Sequence, residues 1–449
     1  MNPNDAMARA AALFGAGRLD EAQSLAESLL RADPLHFYAL HLASAIALKR
    51  GELESCIAFA TRALEIEPAH VDALCNRGAA LRRLNHIEAA LADYDKALAA
   101  DPGSALALNN RGVALAALNR HDDAIAAYTK AIALQPGYAN AIFHRGLSRL
   151  VTGHFASGWD DLESRWGGAE IQGPPRTFAQ PPWTGREDLR GKTLLLHAEQ
   201  GLGDTIQFCR YAALLYHRGA RIILEVQPPL VELLAPLRGV DRVVARGAAL
   251  PSFDFHCPLM SLPRAFGTGI DSIPASVAYL KAPDEHVERW RAKLGARDGP
   301  RIGLAWSGSA TLVNDRNRSI PLAQLAPLRE LGATLVSLQK EVRDDDRRAL
   351  QAGTPLLHFG AELTDFRDTA ALISLMDAVV SVDTAVAHLA GAMGKPAWIL
   401  LPFSPDWRWL LERDDSPWYP TARLFRQPRR GDWGSVIDRI RMEASSVLR

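Results

Sequence analysis

The pattern of apolar and polar positions changes character at Lys192. Before it, the chain repeats itself. Pro34, Pro68, Pro102 and Pro136 stand 34 residues apart. The same period relates Gly78, Gly112 and Gly146, then Arg77, Arg111 and Arg145, then Ala63, Ala97 and Ala131, and also Tyr94 and Tyr128. Independent registers on one period predict stacked helical hairpins, each burying its apolar face against the next. The residue types suit that job. A small residue lets the two helices of a hairpin approach, and an aromatic such as Tyr94 fills the gap to the next hairpin. Proline ends the second helix.

This period and these residues resemble the tetratricopeptide repeat. The Asn-Arg-Gly triplets at Asn76–Gly78 and Asn110–Gly112 have two readings. Either they pack the hairpins, or Asn76, Asn110 and Asn140 line a concave groove and bind the backbone of an extended peptide. A fifth unit begins at Ala139 and drifts. Gly158-Trp159 stands where a small residue is usual, and the unit ends in Gly167-Gly168 instead of a proline. A divergent last unit reads as a cap whose tryptophans pack on the next domain. Residues 167–190 are rich in Pro and Gly, lack helical periodicity and read as a partly stiff linker. The repeats are therefore placed at residues 1–166.

After Lys192, short apolar runs of strand type alternate with amphipathic helical stretches. TLLLHA, ARIILEV and VDRVVA are expected strands, with TIQFCRYAALLYHRG and PPLVELLAPL as helices between them. After an expected helix at Asp284–Leu294 the alternation restarts. RIGLAW, TLVSLQ, PLLHF, AVVSV and PAWILL are separated by PLAQLAPLREL, 342–351, DTAALISLM and TAVAHLAGAM. Such alternation predicts parallel sheets covered by helices. Two successive units suggest two Rossmann-like lobes, at residues 191–298 and 299–449. Ligands of such sheets bind beyond the carboxyl ends of the strands.

Three loops fall at such strand ends. In the first, Gly201 and Gly203 allow a tight turn and Asp204 opens a helix, where it serves either as a cap or as a group aimed into the cleft. The second, Trp306–Leu322, is long for its place and carries Arg316 and Arg318. Arginine forks suit a diphosphate, though a solvated loop would look similar. In the third, Asp383-Thr384 opens a helix with His388 one turn later on the same face. A hydroxyl and free N–H groups at a helix start suit phosphate or sugar hydroxyls. A buried structural histidine is the plainer alternative.

Composition narrows the partners. Lys+Arg and Asp+Glu both number 51, so no overall field draws the chain to nucleic acid. Cys56, Cys75, Cys209 and Cys257 have no CxxC or metal spacing and are expected to be reduced thiols. The first residues, MNPNDAMARAAAL, lack the flank and core of a signal peptide, and no apolar run is long enough to span a bilayer. A protein of the cytoplasm, not integral to a membrane, is expected. The sequence contains neither GxxxxGK[ST] nor HExxH, and no DxD triplet stands at a strand end. Asp344-Asp345-Asp346, flanked by Arg343 and Arg347-Arg348, reads as a solvated helix face. No metal and no cofactor are expected.

GLGD, RSIPL and VDTAVAHLAGAMGKP resemble the corresponding elements of bacterial GT-B glycosyltransferases of the heptosyltransferase-like family 9, over Lys192 to about Leu448. The chain looks closest to members fused to tetratricopeptide repeats and implicated in glycosylation of flagellin or other proteins. The resemblance implies an α-solenoid followed by a GT-B pair of lobes, an acceptor-side lobe first and a nucleotide-sugar lobe second. It implies Asp204 as general base, Arg318 on donor phosphate, and Asp383, Thr384 and His388 on the donor. Gly201, Gly203, Ser307, Arg316 and Gln339 complete the expected donor set. Ala385 replaces the family's glycine and Arg318 its lysine, so the sugar need not be a heptose. The implied reaction is metal-independent, inverting transfer from a nucleotide sugar to an acceptor hydroxyl on a protein held by the repeats. The alternatives are an enzyme of surface polysaccharide and a binding-only adaptor.

Overall fold

The 34-residue period is built from residues that start, stop and fit helices. The computed structural model describes residues 2–168, 176–275, 278–310, 314–351 and 355–447. Its contacts divide into two units, Met1–Arg149 with Asp161–Glu170, and Leu150–Asp160 with Ile171–Arg449.

In the first unit the helices pair as Pro3–Gly15 with Leu19–Ala32, Phe37–Arg50 with Leu53–Ile66, Val71–Arg83 with Ile87–Ala100, and Ala105–Ala117 with His121–Leu134. His36, His70 and Ser104 cap the first helix of successive hairpins, each side chain accepting from the backbone N–H three residues on. The turn between the helices is left-handed at Gly17, Gly51, Asn85 and Asn119, with φ of 76°, 80°, 68° and 59°. These are the two residue types that reach that region most cheaply, and they too keep the period.

The small residue acts as expected, and the aromatic packs in two places. A Cβ on Gly78 would lie 2.6 Å from the Tyr94 ring, so Tyr94 fills the space inside its own hairpin. It also shares a cluster with Ala107 of the next hairpin. Of the periodic arginines, Arg77 and Arg145 fork onto Asp93 and Asp161, while Arg111 pairs with Asp95. These arginines are packing elements. Asn76 donates to Ser44 and Asn110 accepts from Asn109, and with Asn140 they are half-buried.

The second unit holds two sheets. The first contains β1 (Thr193–His197), β2 (Arg221–Val226), β3 (Arg242–Ala245) and β4 (Phe255–Pro258), in the order β3-β2-β1-β4. The second contains β5 (Arg301–Ala305), β6 (Thr334–Ser337), β7 (Ala378–Val382), β8 (Ala397–Leu401) and β9 (Ala422–Arg426), in the order β6-β5-β7-β8-β9. All strand pairings are parallel. The order turns back beside β1 in one sheet and beside β5 in the other, and those switch points are where doubly wound sheets leave a crevice. The α-solenoid and paired α/β sheets agree with the fold class expected from the sequence.

Several local expectations change. PLLHF forms only an isolated bridge, Leu357 to Val336. PLAQLAPLREL is a 3₁₀ run, Leu322–Leu331, because Pro327 inside it has no N–H to give. The strands β4 and β9 and the helix Trp433–Val447 lacked a strong pattern. Of the acidic triplet, Asp344 and Asp345 are solvated, but Asp346 is buried and accepts from Trp306 Nε1 and Leu322 N–H, each at 2.8 Å.

Residues 169–175 of the expected linker lie outside the described residues. Gly167 ends the 3₁₀ turn Glu163–Gly167, and the part from residue 176 on is tied to the first sheet. Trp183 N–H donates to the His256 carbonyl at 2.7 Å, Pro182 bridges to His256, and Phe178 lies 4.6 Å from the His256 ring.

Candidate active site

Each expected loop sits at the carboxyl end of a parallel strand. After β1, the helix Leu202–Phe208 starts at Gly201, whose φ of −70° needs no glycine. Gly203 is glycine for a different reason. A Cβ there would lie 2.7 Å from His388 Cδ2, so the helices Leu202–Phe208 and Ala385–Ala392 approach too closely for a side chain. The tight turn expected from this pair of glycines is thus a close approach of two helices.

Asp204 caps its helix and also pairs with a distant side chain. One carboxylate oxygen accepts from the Gly201 N–H at 2.8 Å, which caps the helix. The other accepts from Arg408, a residue that the sequence did not single out. The Arg408 guanidinium also donates to Gln207 Oε1 at 2.6 Å and to Asp406 Oδ1 at 2.9 Å. It is 8% exposed, and Asp204 is 19% exposed. Burial raises the Asp204 carboxyl above its ordinary pKa, against the pull of Arg408. Burial works against the charge on Arg408 too, yet Asp406 and Asp204 hold its pKa above the ordinary value.

After β7, Asp383-Thr384 opens the helix Ala385–Ala392. Burial, reinforced by Asp406, pushes the Asp383 carboxyl up to about 6. His388 Nε2 lies 3.7 Å from Asp383, and Nδ1 is 2.9 Å from the Tyr419 hydroxyl. Its ring stacks on Trp409 at 5.5 Å. Burial first, then Arg408, holds the imidazole well below its ordinary pKa, so it is neutral at pH 7. The ring is packed and buried, and its neighbours include the polar groups of the cluster. Thr384 Oγ1 lies 3.2 Å from Ser381 Oγ.

After β5, Arg318 turns inward. It donates to the Asp383 carbonyl at 2.8 Å and to Asp315 at 3.1 Å, and a Cβ on Gly308 would run into its guanidinium. Asp315 is held in turn by Arg343 and Ser319. Arg316 remains exposed and makes no ion pair with the described residues. Ser307 and Gln339 bond to one another, Nε2 to Oγ at 3.0 Å. Residues 311–313 of this loop lie outside the described residues.

The structure therefore brings Asp204, Asp383, His388 and Arg318 into one cluster, with Ser307 and Gln339 after neighbouring strands and Arg316 apart. Sequence reasoning missed Arg408 and Asp406. The one signal for them was their place in a loop after β8.

Two families match different parts of the chain. The tetratricopeptide repeat family matches residues 7–71 and 75–139. Glycosyltransferase family 9 (heptosyltransferase) matches residues 347–400, a stretch that contains Asp383, Thr384 and His388 but neither Asp204 nor Arg408. The chain combines tetratricopeptide repeats with a segment that matches a glycosyltransferase family 9 model. It is 28% identical to Protein FlbA of Caulobacter vibrioides over 323 residues, 65% of the chain. The chain spans about half the length of that relative, 52%. Among solved structures, MamA is 22% identical with a TM-score of 0.31, covering 34% of this chain and 91% of its own. A thermophilic repeat protein of Thermus thermophilus is 20% identical with a TM-score of 0.34, covering 37% and 91%.

Proposed function

We propose that the α/β unit is a metal-independent, inverting glycosyltransferase acting in the cytoplasm, and that the repeats dock its acceptor, a protein of flagellin type. The observation that carries the reading is the convergence of Asp204, Arg318 and Asp383–His388 at the carboxyl ends of two parallel sheets, beside their switch points. The match of residues 347–400 to a glycosyltransferase family supports it.

In this reading Asp204 takes the proton of the acceptor hydroxyl as its oxygen bonds to the anomeric carbon. The bond from that carbon to the phosphate oxygen breaks, and the nucleotide leaves with the electron pair. Arg318 and the N–H groups that open the helix Ala385–Ala392 face the negative charge that develops. Fixed cations and helix dipoles supply the charge that a divalent ion would otherwise bring. The nucleotide base, the sugar and the contacts of Gly201, Ser307, Arg316 and Gln339 with the donor belong to the same proposal.

One observation favours a second reading. Both oxygens of Asp204 are engaged, as they would be in an α/β unit that only binds.

Incubation with a panel of nucleotide sugars separates the two. The enzyme should release nucleotide from at least one, with a rate unchanged by EDTA. If no sugar nucleotide were bound or turned over, the adaptor would stand. If EDTA abolished turnover and Mn²⁺ restored it, the metal-free mechanism would fall.

A further inference from the structure

Arg408 is the cation at the centre of the cluster, and its three side-chain bonds place it between competing anions. Asp204, Asp406 and Asp383 bring three carboxyl groups to this region, against the guanidinium groups of Arg408 and Arg318. Neither of these two guanidinium groups is unshared, and the neighbouring Arg210 is buried with its donors on the Gln207 and Trp418 carbonyls and the Tyr279 hydroxyl. Arg318 is already committed to Asp315 and to a backbone carbonyl. Arg408 can release one partner and still keep Asp406 and Gln207.

The backbone beside it gives an independent sign. Leu410 has φ 54° and ψ −165°, and Glu412 has φ 51°. A branched side chain at such angles is held there only by its surroundings, and strain of this kind gathers at clamps and switches. Here the surroundings are explicit. Arg426 donates to the carbonyls of Trp409 and Leu410 at 2.7 and 3.0 Å, and Trp409 stacks on His388. The loop that presents Arg408 is thus braced on both sides under strain.

We propose that Arg408 is an exchangeable counter-ion: it neutralises Asp204 in the free protein and moves onto the anionic leaving group of the donor, releasing the base only when the donor is in place. The inference rests on the reading of Asp204 as the base. It explains how a base with both oxygens engaged could work. The pairing with Arg408 lowers the proton affinity of Asp204, and removing the cation in a poorly hydrated site restores it. An acceptor without a donor then meets an incomplete site.

The exchange makes Asp204 and a diphosphate compete for one guanidinium, which a double-variant cycle detects. Inorganic pyrophosphate is the probe, with affinity read by calorimetry on the full chain. Arg408→Gln should weaken binding by roughly 10- to 100-fold, the range spanned by hydrogen bonds to charged groups. Asp204→Asn should tighten it by about 5- to 10-fold, the lower end of ordinary coupling between sites. In the Arg408→Gln background, Asp204→Asn should change affinity by less than about 2-fold, because the competition is gone. If the tightening persisted there in full, loss of the aspartate's own charge would explain it and the exchange would be refuted. Wild-type affinity in Arg408→Gln would refute it as well. If Arg408→Gln does not fold, Arg408→Lys replaces it. A lysine cannot fork across Gln207, Asp406 and Asp204 together, so the gain from Asp204→Asn should fall by more than half, and an undiminished gain would refute the exchange. Wild-type protein that did not bind pyrophosphate would instead count against the anion site, and with it the proposed transfer reaction.

Discussion

At the scale of single residues, the cluster is a set of ionisable groups kept in costly states. The Asp383 carboxyl has its pKa raised by burial to about 6, which means that the folded protein holds this proton more tightly than the unfolded chain does. Its contribution is favourable below the unfolded pKa of about 3.9 and is lost as pH rises through about 6. Asp383→Asn, which keeps the shape without the charge, should therefore raise the thermal midpoint relative to wild type at pH 7 to 8. The gain should fade as pH falls towards 4. A melting series for both proteins checks this, and a difference independent of pH would contradict the assignment. His388 has the opposite tendency, because its lowered pKa costs stability as pH falls below 6.5; losing the Asp383 charge 3.7 Å from its Nε2 deepens that cost in the variant and adds to the fading. Asp204, Asp383 and His388 were legible in the sequence because small residues and helix starts mark them. Arg408 was not. It lies in a loop whose neighbours Trp407 and Trp409 suggest packing, and its importance comes from its bond to Asp204, 204 positions earlier in the chain.

At the scale of elements, the chain tells where helices begin and end better than how they meet. The 34-residue period and the glycine within each hairpin marked out the solenoid. The left-handed Gly and Asn turns carry the same period and are just as readable, since only their backbone conformation had to be inferred. The strands β1, β2, β5, β7 and β8 were legible as apolar runs because they are buried from both faces. By contrast β4 contains Phe255, His256 and Pro258, a mixture that reads as loop until its neighbours are known. Helix contacts yield a test. Gly203→Ala places a methyl group 2.7 Å from His388 and should destabilise the α/β unit by roughly 1–3 kcal/mol, as overpacking does. Gly78→Ala should do the same to the solenoid, where the Tyr94 ring is the obstacle. Urea unfolding followed on each variant measures both, and a neutral result at Gly203 would mean that the two helices can part without cost.

At the scale of the whole molecule, the boundary read from composition does not coincide with the boundary made by contacts. Leu150–Asp160 groups with the α/β unit, although by sequence it belongs to the last repeat. The reason is Trp159. Its indole N–H donates to the Thr268 carbonyl at 2.7 Å, and its ring packs edge-on against Trp407 at 5.1 Å. The periodic signal fades there because the residues serve a different core. A chain beginning at Leu150 should therefore be more stable than one beginning at Arg165, by an amount approaching the roughly 3–5 kcal/mol of a lost buried tryptophan. Thermal melts of the two truncations decide this, and equal midpoints would put Trp159 outside that core. The chain from Leu150 is also the one with which to ask whether the repeats select the acceptor, since tethering raises the local concentration of a weakly recognised substrate. Loss of protein modification with donor turnover retained would support docking.

The central claim is that Asp204 is the base of a sugar transfer. The most direct measurement is steady-state turnover of the preferred nucleotide sugar by wild type and Asp204→Asn, with donor affinity determined alongside. Turnover should fall by about two to four orders of magnitude, with donor binding retained or tightened. Unchanged turnover in Asp204→Asn would contradict it.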